Sequence, residues 1–212
     1  MDMTFRKNSG FTLIEMSLVL VIIGLILGAV SISGNLQKSA ATKAAYTDFI
    51  YPWAGVYRSY HQLTGRVLGD SAVSPSGRVN GSLDDPICLD SVVDDEDTDD
   101  TLRVQLLNLK MDLPTGRGEF KETNYVVTDK DSNPRQIELC FAYTDSWIVG
   151  YKDKAKNNAV IKNSNVMIIK NLPIELAEEI DVLVDKTVNG TTGLLRWESG
   201  TLVVDALYKL SN

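Results

Sequence analysis

From Phe11 to Gly34 the chain carries one charged side chain, Glu15. A run this apolar is long enough to cross a bilayer, which takes about 20 helical residues. It commits the first part of the molecule to a helix that needs lipid or other helices around it. A carboxylate inside such a run costs about 2.5–3.5 kcal/mol on insertion scales, so Glu15 is expected to have a task. Arg6 and Lys7 precede the run, and the positive-inside rule puts them in the cytoplasm. Everything after about Asn35 then faces the periplasm or the exterior. A secretory signal has a shorter apolar region, about 7–15 residues, followed by a small-x-small cleavage site. Ala29-Val30-Ser31 fits such a site poorly. A plain membrane anchor accounts for the length of the run, but not for Glu15 or the junction Gly10-Phe11.

Taken together, Arg6-Lys7 and Gly10-Phe11-Thr12-Leu13-Ile14-Glu15 resemble the type III signal of type IV pilins and type II secretion pseudopilins. In that family a short basic leader ends in Gly, Phe follows, and Glu is fifth in the mature chain. The resemblance implies a leader over residues 1–10 and a transmembrane and filament-core helix over 11–34. It also implies a pilin-like globular domain over 35–212. A prepilin peptidase that is also an N-methyltransferase would cut between Gly10 and Phe11 and methylate Phe11. Glu15 would guide assembly by pairing with the amino terminus of an adjacent subunit. The implied partners are other pilin or pseudopilin subunits, the inner membrane and an inner-membrane assembly platform.

The 212 residues include 28 Asp and Glu against 21 Lys and Arg, a net charge of −7. That balance argues against a generally basic surface for nucleic acid. The two cysteines, Cys88 and Cys140, both follow the apolar run. In an oxidising compartment such a pair most simply forms one disulfide; two reduced core cysteines are the alternative. There is no CxxC or Cys/His cluster, and the one histidine, His61, lies on a tyrosine-rich helical stretch.

Helical signals continue past the apolar run. Leu36, Ala40, Ala44, Phe49, Trp53, Val56, Tyr60 and Leu63 recur at steps of three to five, near the helical period. The spacing predicts one helix of roughly 50 residues, its second half packed on a domain and ending at Thr64-Gly65. Pro52 is expected to kink or divide it, because proline lacks the backbone donor and clashes one turn back. A loop rich in Gly, Ser, Pro and Asp follows, from Leu68 to Pro86. The tail of the acidic run Asp94–Asp100 and Thr101 are expected to cap a short helix to about Leu109, because acids favour helix starts. Strands are expected at Asn124–Thr128, Gln136–Tyr143, Trp147–Tyr151 and Val166–Ile169, with Thr144-Asp145-Ser146 as a hairpin turn. Pro173 to about Lys186 reads as a helix. Leu194–Trp197 and Leu202–Leu207 read as a closing strand pair.

Two stretches carry a second resemblance to pilin-like proteins. One is Tyr57-Arg58-Ser59-Tyr60 with Leu68-Gly69-Asp70. The other runs from Leu172 to Trp197 and holds Ile180-Asp181, Asp185, Asn189-Gly190 and Thr192-Gly193. Asp181 and Asp185, four apart, share a helix face where like charges repel unless neutralised. A calcium ion is one neutraliser, since it takes carboxylate and carbonyl oxygens, and some secretion pseudopilins hold one in this loop. Two solvated acids are the plainer reading. No Ser/His/Asp motif, P-loop or strand-linked GxGxxG is present, so no enzyme is expected. Trp53, Trp147 and Trp197 are more simply core than a stacking surface. The expected fold is α+β, a long N-terminal helix packed on an antiparallel sheet. The expected function is structural: a subunit, by its acidic head and mid-domain cysteines a minor one, of a type IV pilus-like filament. A type II secretion pseudopilin is the alternative within the class. A membrane-anchored adhesin or DNA-uptake module is the alternative outside it.

Overall fold

The computed structural model describes residues 11–93, 101–117, 122–153, 158–198, 200 and 202–210. It divides into two compact units, Met1–Ala40 and Ala41–Asn212.

The first unit is dominated by α1 (Leu13–Ala44), whose last residues belong to the second. Its apolar side chains from Phe11 to Leu27 are all exposed, Leu13 to 92%. Among the described residues no helix is long and apolar enough to cross a membrane. The apolar sequence run extends into 30–34, whose side chains lie outside the described set.

In the second unit, α1 passes into a wider π-helical turn, Ala45–Ile50, and then α2 (Tyr51–Thr64). The division expected at Pro52 is made by that turn. Tyr51 donates its N–H to the Tyr46 carbonyl, five residues back, and Pro52 sits in the first turn of α2 with no N–H to place. The extra residue shifts the buried stripe. Ala45, Phe49, Ile50, Trp53, Ala54, Tyr57 and Tyr60 are inside, while Ala40 and Leu63 from the expected stripe are exposed. Gly65 ends α2 in the left-handed conformation, φ 72°, its N–H on the His61 carbonyl.

Strands β1 (Ile87–Cys88), β2 (Asn124–Thr128), β3 (Pro134–Asp153), β4 (Asn158–Pro173), β5 (Leu195–Arg196) and β6 (Val203–Lys209) form one antiparallel sheet. Its order is β1-β3-β4-β6-β5, with β2 also paired to β3. The hairpin turn expected at Thr144-Asp145-Ser146 is instead a bulge inside the single strand β3. Thr144 and Trp147 pair with Ser164 and Lys162, so one extra residue is accommodated. The Thr144 hydroxyl accepts the Ser146 N–H at 3.2 Å, which lets a turn-like trio stay in the strand. Two helices complete the unit, α3 (Leu102–Asn108), capped by the Thr101 hydroxyl, and α4 (Ile174–Asp185). The acidic run Asp94–Asp100 lies outside the described residues.

One face of the sheet meets α2. Leu139, Phe141, Met167, Ile169 and Ala206 alternate toward it and are fully buried with Trp53 and Tyr57. Trp53 meets the edge of Phe141 at 6.1 Å, and Phe49 stacks on Tyr125 at 4.9 Å. The opposite face holds a smaller cluster of Ala142, Trp147, Val166 and Ile168, with Leu207 against it.

Candidate functional site

The N-terminal site starts with Thr12 and Glu15. Thr12 donates its backbone N–H and its hydroxyl to Glu15 Oε2 at 2.7 and 2.9 Å. The Glu15 N–H returns to Thr12 Oγ1 at 3.3 Å. This reciprocal arrangement is a capping box, which satisfies donors left open at a helix start. It gives Glu15 a partner within its own chain and holds the carboxylate back toward Phe11. Gly10, on the leader side of the expected cut, lies outside the described residues; Phe11 is 79% exposed.

The C-terminal site joins α4 to the loop that follows it. Asp181 is wholly buried, and its Oδ2 accepts the Asn189 N–H at 2.7 Å. Asp185 Oδ2 accepts the N–H groups of Leu194 and Leu195 at 2.7 and 3.1 Å. The two acids therefore staple the loop to the helix. Gly193 is required in that loop: its φ is +88°, and a Cβ there would collide with the Asp185 carboxylate. Asp181 Oδ1 is buried without a hydrogen-bond partner. Burial, with a smaller contribution from neighbouring Asp185, pushes the Asp181 carboxyl up to about 6, against the opposing pull of the Asn189 N–H. For a calcium ion the orphaned Oδ1 beside a second carboxylate is a partial fit. Calcium takes 6–8 oxygens, and one oxygen of each acid is already held by backbone N–H groups.

Cys88 and Cys140 are directly opposite each other in the β1–β3 register and joined by a disulfide. With Glu138 they form the one His/Cys/Asp/Glu grouping of metal-binding size among the described residues, but both sulfurs are spent on the bond. Trp53 is core and Trp147 is almost fully buried.

One organising residue was legible only as part of a resemblance. Asp70 is 6% exposed and accepts the N–H groups of Ser76 and Gly77 and the Ser76 hydroxyl at 2.7–3.0 Å. Gly69, φ +70°, makes the turn before it; a Cβ there would come within 2.6 Å of Ile87 Cδ1. Leu68-Gly69-Asp70 thus fixes the loop 70–77.

An apolar N-terminal helix with one capped carboxylate, followed by α-helices on a six-stranded antiparallel sheet, is the build of a pilin-like subunit. The family model described as the prokaryotic N-terminal methylation motif matches residues 5–31. The chain therefore carries the prepilin-type signal of type IV pilins and pseudopilins, and the motif supports membership of that family. No curated protein and no solved structure matches the chain.

Proposed function

We propose that the chain is a minor structural subunit of a type IV pilus-like filament, anchored and then assembled through its N-terminal helix. Cleavage between Gly10 and Phe11 by the prepilin peptidase, with methylation of Phe11, would precede assembly. The subunit would sit in the inner membrane with its amino terminus cytoplasmic, then move to a periplasmic or extracellular filament through the assembly platform. The observation that carries this reading is Glu15. It is the one charge on an exposed apolar helix surface, and a Thr12 cap aims it toward Phe11. A carboxylate placed there can neutralise a neighbour's new amino terminus while apolar side chains pack around it. The test is the mass of the protein recovered from sheared filaments: it should begin at methylated Phe11.

A second reading, a type II secretion pseudopilin, is favoured by the acid pair in the C-terminal loop. Asp181 and Asp185 are the residues that would hold a calcium ion there, joined by loop carbonyls. In either case the chain is a structural part with no reaction of its own.

A further inference from the structure

Strand β6 ends at Lys209, and two clefts meet at Lys209 and the following Leu210. The larger, of 440 Å³, is bordered by Arg78, Tyr143, Asn163 and Ser164. The smaller, of 290 Å³, is bordered by Arg58 and Tyr208. Among the described residues no carboxylate lines either cleft. In a chain with a net charge of −7 this is a local reversal of sign.

The cations here differ from those elsewhere in the head. Arg103, Arg135 and Lys170 each pair with a carboxylate. Among the described residues Arg58, Arg78 and Lys209 make no ion pair with a carboxylate and lie on aromatic rings instead. Arg196 also lies on a ring, but it gives its Nε–H to the Gly193 carbonyl and feels the Asp185 carboxylate. Arg58 is 5.5 Å above Tyr51, Arg78 is 4.8 Å above Tyr143, and Arg196 is 3.9 Å above Trp147. Lys209 is 5.9 Å from the same Trp147 ring. A guanidinium resting on a ring is held in place by it, and its outer face can take a second planar group.

Arg78 is also presented by a fixed backbone. Asp70 holds Ser76 and Gly77 on one side of it. Asn165 accepts the Val79 N–H at 3.0 Å and donates to the Gly77 carbonyl at 3.1 Å. The Asp70 carboxylate that organises the loop is buried and spent on the loop itself, so it does not neutralise Arg78.

We propose that these clefts bind single-stranded nucleic acid across Lys209. Several unpaired cations along a path suit a polymer of repeated phosphates better than one small anion. Ring-backed guanidinium planes are surfaces on which unpaired bases stack. Asn163 and Ser164 add neutral polar groups at the cleft wall. Arg196 borders neither cleft; it lines a third cavity together with Glu198 and Asp205, so the path comprises Arg58, Lys209 and Arg78. Chain-wide charge hides this site because it averages a cationic strip with acids placed elsewhere. The net negative charge makes binding short-range and salt-sensitive. This inference does not rest on the filament reading.

The test uses the full chain in nonionic detergent and a labelled oligothymidine, with affinity measured by fluorescence anisotropy over a salt series. Arg78→Glu with Lys209→Glu should weaken binding by about tenfold or more. It should also lower the slope of log affinity on log salt by about 1.4, or about 0.7 per phosphate contact. Lys110→Glu with Lys130→Glu, an equal change of charge elsewhere, should leave both unchanged. If the first pair melts early, Arg78→Gln alone, at an exposed side chain, should weaken binding by about threefold. Three results would overturn the proposal. One is no binding at low salt. Another is equal loss in both charge-matched pairs. The third is competition by duplex DNA, heparin or anionic phospholipid vesicles as strong as that by the oligonucleotide itself.

Discussion

Asn165 and Tyr57, 108 residues apart in the chain, share a buried hydrogen bond of 2.9 Å between the Asn165 amide and the Tyr57 hydroxyl. The same amide binds the backbone on both sides of Arg78, so one side chain ties sheet, helix and loop together. Asn165→Leu would keep the volume and leave those groups unsatisfied. A loss of about 2–4 kcal/mol is expected. Tyr57→Phe removes one partner and should cost about 1 kcal/mol. Urea unfolding followed by tryptophan fluorescence measures both, and equal losses would show that the Asn165 bonds to the loop contribute nothing.

At the amino terminus, cap and charge are separable. Glu15→Gln keeps an acceptor for Thr12 but removes the charge, whereas Thr12→Val removes the cap and keeps the charge. If charge guides assembly, Glu15→Gln should be lost from sheared filaments while the head stays folded and the chain stays membrane-bound. Removing one partner of a buried pair typically costs about 3–5 kcal/mol. Thr12→Val should cost the helix start only about 1 kcal/mol and reduce incorporation mildly. Gly10→Val should leave the leader uncut. Wild-type incorporation of Glu15→Gln would remove the charge from the argument.

The disulfide closes a long loop, since Cys88 and Cys140 are 52 residues apart. Cross-links of this kind typically contribute about 2–5 kcal/mol by restricting the unfolded chain. Reduction, or Cys88→Ser with Cys140→Ser, should lower stability by that amount. Thiol labelling of the unfolded, unreduced protein should find no free cysteine; two labelled thiols would refute the bond.

The C-terminal staple should give an unusual pH dependence. The Asp181 carboxyl is raised from 3.8 to about 6, so between those values the folded state holds a proton that the unfolded state has released. Stability from this group is therefore full below about pH 4 and falls as pH rises through about 6. The range is on the order of 2–3 kcal/mol. Asp181→Asn should flatten that slope, because the amide keeps the Asn189 contact without a charge. If calcium binds the pair, millimolar calcium at neutral pH should raise the melting temperature and magnesium should not. Equal melting in chelator and calcium would leave Asp181 and Asp185 as a loop staple alone.

What could be read from sequence follows the range of the interactions. Gly65 after Thr64 and Pro173 before α4 are local devices whose partners lie within a turn, and they are legible as written. The cap between Thr12 and Glu15 is equally local, but the family resemblance pairs Glu15 with an adjacent subunit, and the cap emerges only in the structure. Strand β1 is two residues long and pairs only with β3, so Ile87 and Cys88 carry no strand signal of their own. Thr144-Asp145-Ser146 has the composition of a turn; pairing with Ser164 and Lys162 makes it a bulge. The spacing of Asp181 and Asp185 shows a shared face, but their N–H donors lie 8–10 residues further on, in a loop with no periodicity to read. The cationic clefts escaped because Arg58, Arg78 and Lys209 come from three separate stretches.

The disulfide also sets how far the head can be drawn out by tension. A load applied between α1 and the end of β6 runs along the covalent chain to Cys88 and crosses directly to Cys140. The stretch from 89 to 139 between them cannot lengthen the tether while the bond is intact. Fully extended, that stretch would add about 170–190 Å, at roughly 3.3–3.6 Å per residue. A pulled subunit with the bond reduced should pay out that hidden length in a single-molecule trace, and the oxidised one should stop short of it by the same amount.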